Sequence, residues 1–147
     1  MSSASQSARL RVAILGFGLI GGSVARALRA ARNRGFDRPE VVAWSPGGRG
    51  PLAALAADLD HRVLAAHGRV DGLVFNAVSR PMKAMGDDLA AWRASMETNA
   101  TGFFATVRAF ADAMAATGGG SVVNISSMQG MIGMNPWLYE GTTMGVP

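Results

Sequence analysis

The tightest constraint on this chain is a glycine-spaced turn set between an apolar strand and an amphipathic helix. Residues 16–21, Gly16-Phe17-Gly18-Leu19-Ile20-Gly21, read G-x-G-x-x-G. Arg11-Val12-Ala13-Ile14-Leu15 precedes it, an apolar run of the kind that forms a strand buried in a parallel sheet. From Ile20 to Arg34 the pattern turns helical: Val24, Leu28 and Ala31 share a face, Arg26 and Arg29 lie elsewhere, and Asn33-Arg34-Gly35 supplies a stop. The glycine spacing alone is a weak signal, but between a strand and a helix it is much more specific. Gly16 permits the tight turn, Gly18 lets a diphosphate approach the backbone, and Gly21 lets helix and strand pack closely. The helix start, from Leu19 and Ile20 onward, then offers free N–H groups and a partial positive charge to an anion. An ordinary glycine-rich turn is the simpler alternative, and the flanking elements favour the phosphate site.

A second strand candidate, Val41-Val42-Ala43-Trp44, is closed by Ser45-Pro46-Gly47-Gly48. NAD-preferring sites usually carry an acidic residue at this strand end, on the ribose hydroxyls. Here Ser45 stands there with Arg49 close by, so the pattern leans toward NADP over NAD, since a guanidinium pairs with a 2′-phosphate. The plainer alternative is that Arg49 points into water.

The rest of the chain keeps alternating. Residues 51–59 are Ala/Leu-rich and read as helix, whereas 61–67 fit no single element. Gly72-Leu73-Val74-Phe75 is a strand, followed by a polar loop from Asn76 to Gly86. Asp87 or Asp88 can cap the next helix, along which Leu89, Trp92, Met96, Asn99, Phe103, Val107, Phe110 and Met114 form one stripe. Thr117-Gly118-Gly119-Gly120 ends it, Ser121 to Ile125 is the last strand, and residues 126–147 show no period. This alternation predicts the α/β class: one Rossmann-type parallel sheet of about five strands with helices on both faces, joined by right-handed crossovers. Residues 1–9 read as a flexible Ser/Ala-rich tail, and 10–147 as a single dinucleotide-binding domain.

Composition removes other classes. The absence of cysteine excludes disulfide and thiolate chemistry. Two histidines without cysteines make no metal site, and both read as surface residues. No apolar run is long enough to span a membrane, the N-terminus lacks a signal sequence, and a cytoplasmic location is the default. The net charge of +4 is concentrated in eight arginines between residues 9 and 49. Without interleaved aromatics they do not suggest nucleic acid; most read as solvated helix charges.

Two further features bear on chemistry. Asn99 interrupts an apolar stripe, and a buried amide without partners costs roughly 1–3 kcal/mol, so something must bind it. A nearby carbonyl at a helix kink is one answer. Ser126 and Ser127 directly follow a strand, at the end of the sheet where such folds bind ligands; loop serines capping backbone are the alternative. No G-x-S-x-G elbow supports a serine hydrolase.

Two stretches resemble known families. Residues 10–45, with the wording Gly18-Leu19-Ile20-Gly21-Gly22-Ser23, resemble the cofactor-binding start of prephenate or arogenate dehydrogenases. Residues 66–139 resemble short-chain dehydrogenase/reductases through Gly68-Arg69-Val70-Asp71-Gly72-Leu73-Val74, Asn76-Ala77, Glu97-Thr98-Asn99-Ala100-Thr101-Gly102 and Gly120 to Ser127. The second match is longer and correctly ordered. That family's own Thr-Gly-x-x-x-Gly-x-Gly turn is not reproduced, because Val24 stands where its last glycine belongs. We therefore read the chain as a composite with a junction between residues 52 and 68.

The second resemblance implies NADP or NAD as cofactor and a small carbonyl or alcohol substrate. It implies cofactor contacts at Asn76 and Ala77, a substrate-orienting Ser127, and an Asn99 that kinks its helix and holds a proton-relay water. The family's proton donor is a Tyr four residues before a Lys. Tyr139, the only tyrosine, is followed at that spacing by Thr143, and the only lysine is Lys83. The chain thus reads as stopping before the family's Tyr–Lys pair, which implies little turnover and an open apolar sheet edge prone to self-association. A non-catalytic dinucleotide-binding fragment is the alternative. A prephenate dehydrogenase-like protein is a third, for which no helical substrate domain remains.

Overall fold

The computed structural model describes residues 9–16, 19–30, 39–44, 62–82, 86–127, 130–133, 135, 137 and 140–142. The tail at 1–8, the helix stop at 33–35 and the helix expected at 51–59 lie outside the described residues.

Four parallel strands form the sheet: β1 (Arg11–Leu15), β2 (Glu40–Trp44), β3 (Gly72–Phe75) and β4 (Ser121–Asn124), in the order β2-β1-β3-β4. Residues 62–67 are helical, so among the described residues the sheet has four strands where about five were expected. Period-two alternation sorts the side chains. Ala13, Leu15, Leu73 and Phe75 point to one face, into a core with Val63, Val70, Phe110 and Met114. Ile14 and Val74 point to the other face and pack with Ala25, flanked by Val24 and Leu28. The two faces are covered by different helices, α1 (Leu19–Ala30) on the second and α3 (Phe103–Ala116) on the first. The long apolar strands of the sequence are explained by this double burial.

The strands are in register, so their carboxyl ends form a row: Trp44 beside Leu15, Leu15 beside Phe75, Phe75 beside Asn124. From β1 the chain crosses outward to β2, whereas β3 lies on the other side of β1. The point where strand order reverses therefore falls between β1 and β3, where open α/β sheets place their ligands.

The opposite end of the sheet is held by charge. Arg11 Nε lies 3.7 Å from one Glu40 oxygen and His67 Nδ1 lies 3.0 Å from the other. Asp71 accepts the Arg11 backbone N–H at 2.8 Å and pairs with Arg69. His67, expected to be a surface residue, is instead half-buried against Glu40.

The long helix is not one continuous α-helix. α2 (Leu89–Met96) begins at Asp88, whose side chain accepts the Ala91 N–H at 2.8 Å. A π-helical turn, Glu97–Gly102, then joins it to α3. Such a turn carries an extra residue and shifts the facing side of the helix. The stripe read from the sequence holds on α3, where Phe110 and Met114 are buried. It fails on α2, where Leu89, Trp92 and Met96 are 59%, 49% and 40% exposed and the half-covered positions are Ala91 and Ser95.

Phe110 has no exposed surface and touches the β1/β3 side of the core. Replacing it with alanine is expected to cost about 3–5 kcal/mol. Urea denaturation followed by circular dichroism will read this as a large fall in the midpoint.

Candidate active site

The turn after β1 is built on close contact. Gly16 has φ of +85°, and a Cβ there would lie 2.5 Å from the Asn76 carbonyl oxygen and 2.6 Å from the Ala77 nitrogen. Its φ suits the left-handed region, and its position leaves no room for a side chain. A Cβ on Gly21 would collide with the Gly16 carbonyl oxygen. That oxygen accepts the Asn76 Nδ2–H at 2.8 Å, and the Asn76 backbone N–H donates to the Leu15 carbonyl at 2.8 Å. The glycines read as a phosphate turn thus also bind the end of β3 to the start of α1.

A cleft of about 390 Å³ opens beside this contact, between the start of α1 and the carboxyl ends of β3 and β4. Ile20, Asn76 and Ala77 line one part of it; Asn99, Ser126 and Ser127 line another. Its floor includes Phe75 and Phe103, whose rings meet edge to face with centroids 5.2 Å apart. The first turn of α1 contains no acidic residue. A diphosphate set against that helix start would meet the positive end of the helix and no opposing carboxylate, so the residues present fit a dinucleotide.

Asn99 sits in the π turn and is exposed, not buried in the helix stripe as expected. The extra residue of that turn rotates it toward the loop after β3. There its amide closes a two-point clamp: Oδ1 accepts the Ser79 N–H at 2.8 Å and Nδ2 donates to the Ser79 carbonyl at 2.8 Å. The other Nδ2 proton is directed to Ser95 Oγ at 3.1 Å. Both amide hydrogens are used, and one Oδ1 lone pair remains.

The structure therefore brings together Gly16, Gly21, Ile20, Asn76, Ala77, Asn99, Ser126 and Ser127, from four separated stretches of the chain. The backbone of Leu19 opens α1. Gly18, Ser45, Arg49 and Tyr139 lie outside the described residues. Sequence reasoning missed Phe75, Val78, Arg80, Phe103, Asn124 and Ile125 in the cleft wall, and Ser79 as the partner of Asn99. Only Phe103 carried a local signal, one helical turn beyond Asn99. Among the described residues no group of acidic, histidine or cysteine side chains could hold a metal ion.

The fold defines a doubly wound α/β domain with a cleft at the reversal of strand order. Comparison with known proteins places that class in a family. Residues 54–142, more than half of the chain, match the family model described as short chain dehydrogenase, and the chain belongs to that family. It is 35% identical over 127 residues to the cis-4-hydroxycyclohexanecarboxylate dehydrogenase of Sinomonas cyclohexanicum, covering 84% of this chain and 47% of that protein. A short-chain type dehydrogenase/reductase from Mycobacterium marinum superposes with a TM-score of 0.74 at 25% identity, over 88% of this chain and 60% of that one. ElxO with NADP bound superposes with a TM-score of 0.68 at 18% identity, over 86% and 59%. The chain thus spans about half the length of the curated relative it matches.

Gly21→Ala is expected to force the α1 start away from β1. Overpacking of this kind costs about 1–3 kcal/mol. Thermal melting will show the loss as a Tm several degrees lower, and Gly22→Ala, where a Cβ meets only the Arg26 guanidinium at 3.8 Å, will serve as the tolerant control.

Proposed function

We propose that this chain is the coenzyme-binding part of an NADP- or NAD-dependent oxidoreductase acting on a small carbonyl or alcohol. The observation that carries this reading is the cleft at the reversal of strand order, with an acid-free helix start on one side and Asn99 and Ser127 on the other. Family membership supports it, as does a relative named as the dehydrogenase of a hydroxycyclohexanecarboxylate and a fold neighbour with NADP bound.

The nicotinamide coenzyme, when bound, supplies or accepts the hydride. The chain's own residues do the rest. The turn at 16–21, with Gly16, Gly18, Leu19, Ile20 and Gly21, seats the diphosphate; Asn76 and Ala77 form the adjoining wall. Ser45 and Arg49 set the preference for a 2′-phosphate. The Ser127 hydroxyl donates to the substrate oxygen. Asn99 holds the loop through Ser79 and keeps one Oδ1 lone pair for a relay water. Tyr139 is the candidate proton donor, and no lysine stands four residues after it. General acid catalysis contributes about 10²–10⁴-fold, so turnover by these 147 residues is expected to be slight.

We further propose that the chain is a composite with its junction between residues 52 and 68. The family match begins at residue 54, inside the 52–68 interval, which supports a junction there. The 127-residue alignment to a single curated relative crosses that interval, so one continuous short-chain domain is the alternative. Among the described residues no helix is long and apolar enough to cross a membrane; a cytoplasmic setting is our expectation.

Titration with NADH and NADPH, followed by coenzyme fluorescence, tests the reading. Saturable binding is expected with both, NADPH the tighter, while NADPH-dependent carbonyl reduction stays near background. No binding of either coenzyme to the folded protein would sink the proposal.

The edge of β4 makes a separate expectation. Val122 and Val123 are exposed on a strand hydrogen-bonded to β3 on one side, with no second strand among the described residues. Unpaired apolar edges recruit further strands. Light scattering is expected to report self-association, and a concentration-independent monomer would contradict it.

A further inference from the structure

We infer that Arg80 makes this cleft selective for substrates that carry a carboxylate. The inference rests on the coenzyme-and-carbonyl reading above and names the substrate class for the same site.

Its basis is the charge balance of the cleft. Among the described residues, Arg80 is the one charged side chain in the wall, and no acidic side chain lines it. The remaining polar wall residues are neutral amides and hydroxyls. Arg11, Arg69 and Arg26 are partnered, by Glu40, Asp71 and the Ser23 hydroxyl respectively. Arg80 has no such partner among the described residues. A guanidinium left uncompensated at the mouth of a neutral cleft favours an anion.

The position is also prepared. Ser79, the preceding residue, is held through both backbone groups by the Asn99 amide at 2.8 Å each. That clamp fixes the backbone from which the Arg80 side chain extends, so less order must be gained on binding. The other cleft chemistry describes the rest of the ligand. Phe75 and Phe103 provide an apolar floor, and Ile20 and Val78 expose apolar side chains at the rim. An apolar carbon skeleton with an oxygen toward Ser127 and a carboxylate toward Arg80 satisfies all three surfaces. A coenzyme phosphate is the other source of negative charge, but the acid-free start of α1 already provides for the diphosphate.

The test is an NMR titration of the full chain, with and without NADPH, using 4-oxopentanoate and its neutral amide as probes. The amide signals of Ser79, Ser126 and Ser127 report binding. Charge-assisted hydrogen bonds are worth enough to make the acid about tenfold tighter than the amide. In Arg80→Met that ratio is expected to fall toward one, and Arg80→Lys to keep part of it. Equal binding of acid and amide by the natural chain, or no binding of either, overturns the inference. So does an Arg80→Met variant that keeps the ratio but loses NADPH, which would assign Arg80 to the coenzyme and leave the proposed function standing. Absence of coenzyme binding in the natural chain overturns the proposed function instead, and the acid-to-amide ratio without coenzyme still decides the role of Arg80. Because Arg80 is exposed, the variants are expected to melt at the natural temperature, which checks that folding is intact.

Discussion

The Gly16 carbonyl group is the node on which the rest of this domain depends. It closes β1, accepts the Asn76 side-chain amide, and packs directly beneath the Cα of Gly21. Those contacts join residues 60 positions apart in the chain. A hydrogen bond between such groups contributes about 1 kcal/mol net, but leaving a partner unpaired in a partly buried site costs about 1–3 kcal/mol. The contact therefore sets where β3 ends relative to β1. It also sets the angle at which α1 leaves the sheet. Both define the wall of the cleft, so the geometry that stabilises the turn is the geometry that shapes the site.

The two ends of the sheet divide the electrostatic work. At the amino ends of the strands, Arg11, Glu40, His67, Arg69 and Asp71 form contacts in which positive and negative groups offset one another. This set links β1 and β2 to the segment leading into β3. At the carboxyl ends the described wall is neutral apart from Arg80, and the helix start adds its own partial positive charge. Among the described residues, charge is paired at the amino ends of the strands and has no ion-pair partner at the cleft.

Much of this was legible in the sequence because it is local. The strands at 11–15, 41–44 and 72–75 follow from apolar runs between turn signals, the glycine turn from its neighbours, and the cap from an aspartate before an apolar helix. What stayed hidden depends on contacts between distant residues or on a change of helical period. The π turn at 97–102 adds a residue that no apolar pattern announces, and it moves Asn99 from the expected core stripe to the Ser79 backbone. Leu89, Trp92 and Met96 lose their burial for the same reason. His67 found Glu40 across the sheet end, a pairing invisible to local spacing. Arg80 carries no local signal, and its place in the cleft wall depends on the packing of distant elements.

The site also inherits a mechanical property from its outer strand. Ser126 and Ser127 follow β4, whose described pairing is to β3 alone. All four residues of β4 are exposed, so burial adds little to the hydrogen bonds that hold it. Beside it, on the α1 face, lies an apolar groove of about 300 Å³ lined by Leu10, Val24, Leu28, Val74, Val123 and Ile125. Few buried contacts and an uncovered edge are the marks of a segment that opens at low free energy. The wall carrying Asn76 and Asn99 is held by clamped hydrogen bonds, and the wall carrying Ser127 follows a strand whose described ladder runs to β3 alone. Anything that pairs with β4 or fills the groove stiffens the second wall without touching the first. Any pairing at that edge would act on the Ser127 wall of the cleft through a single four-residue strand.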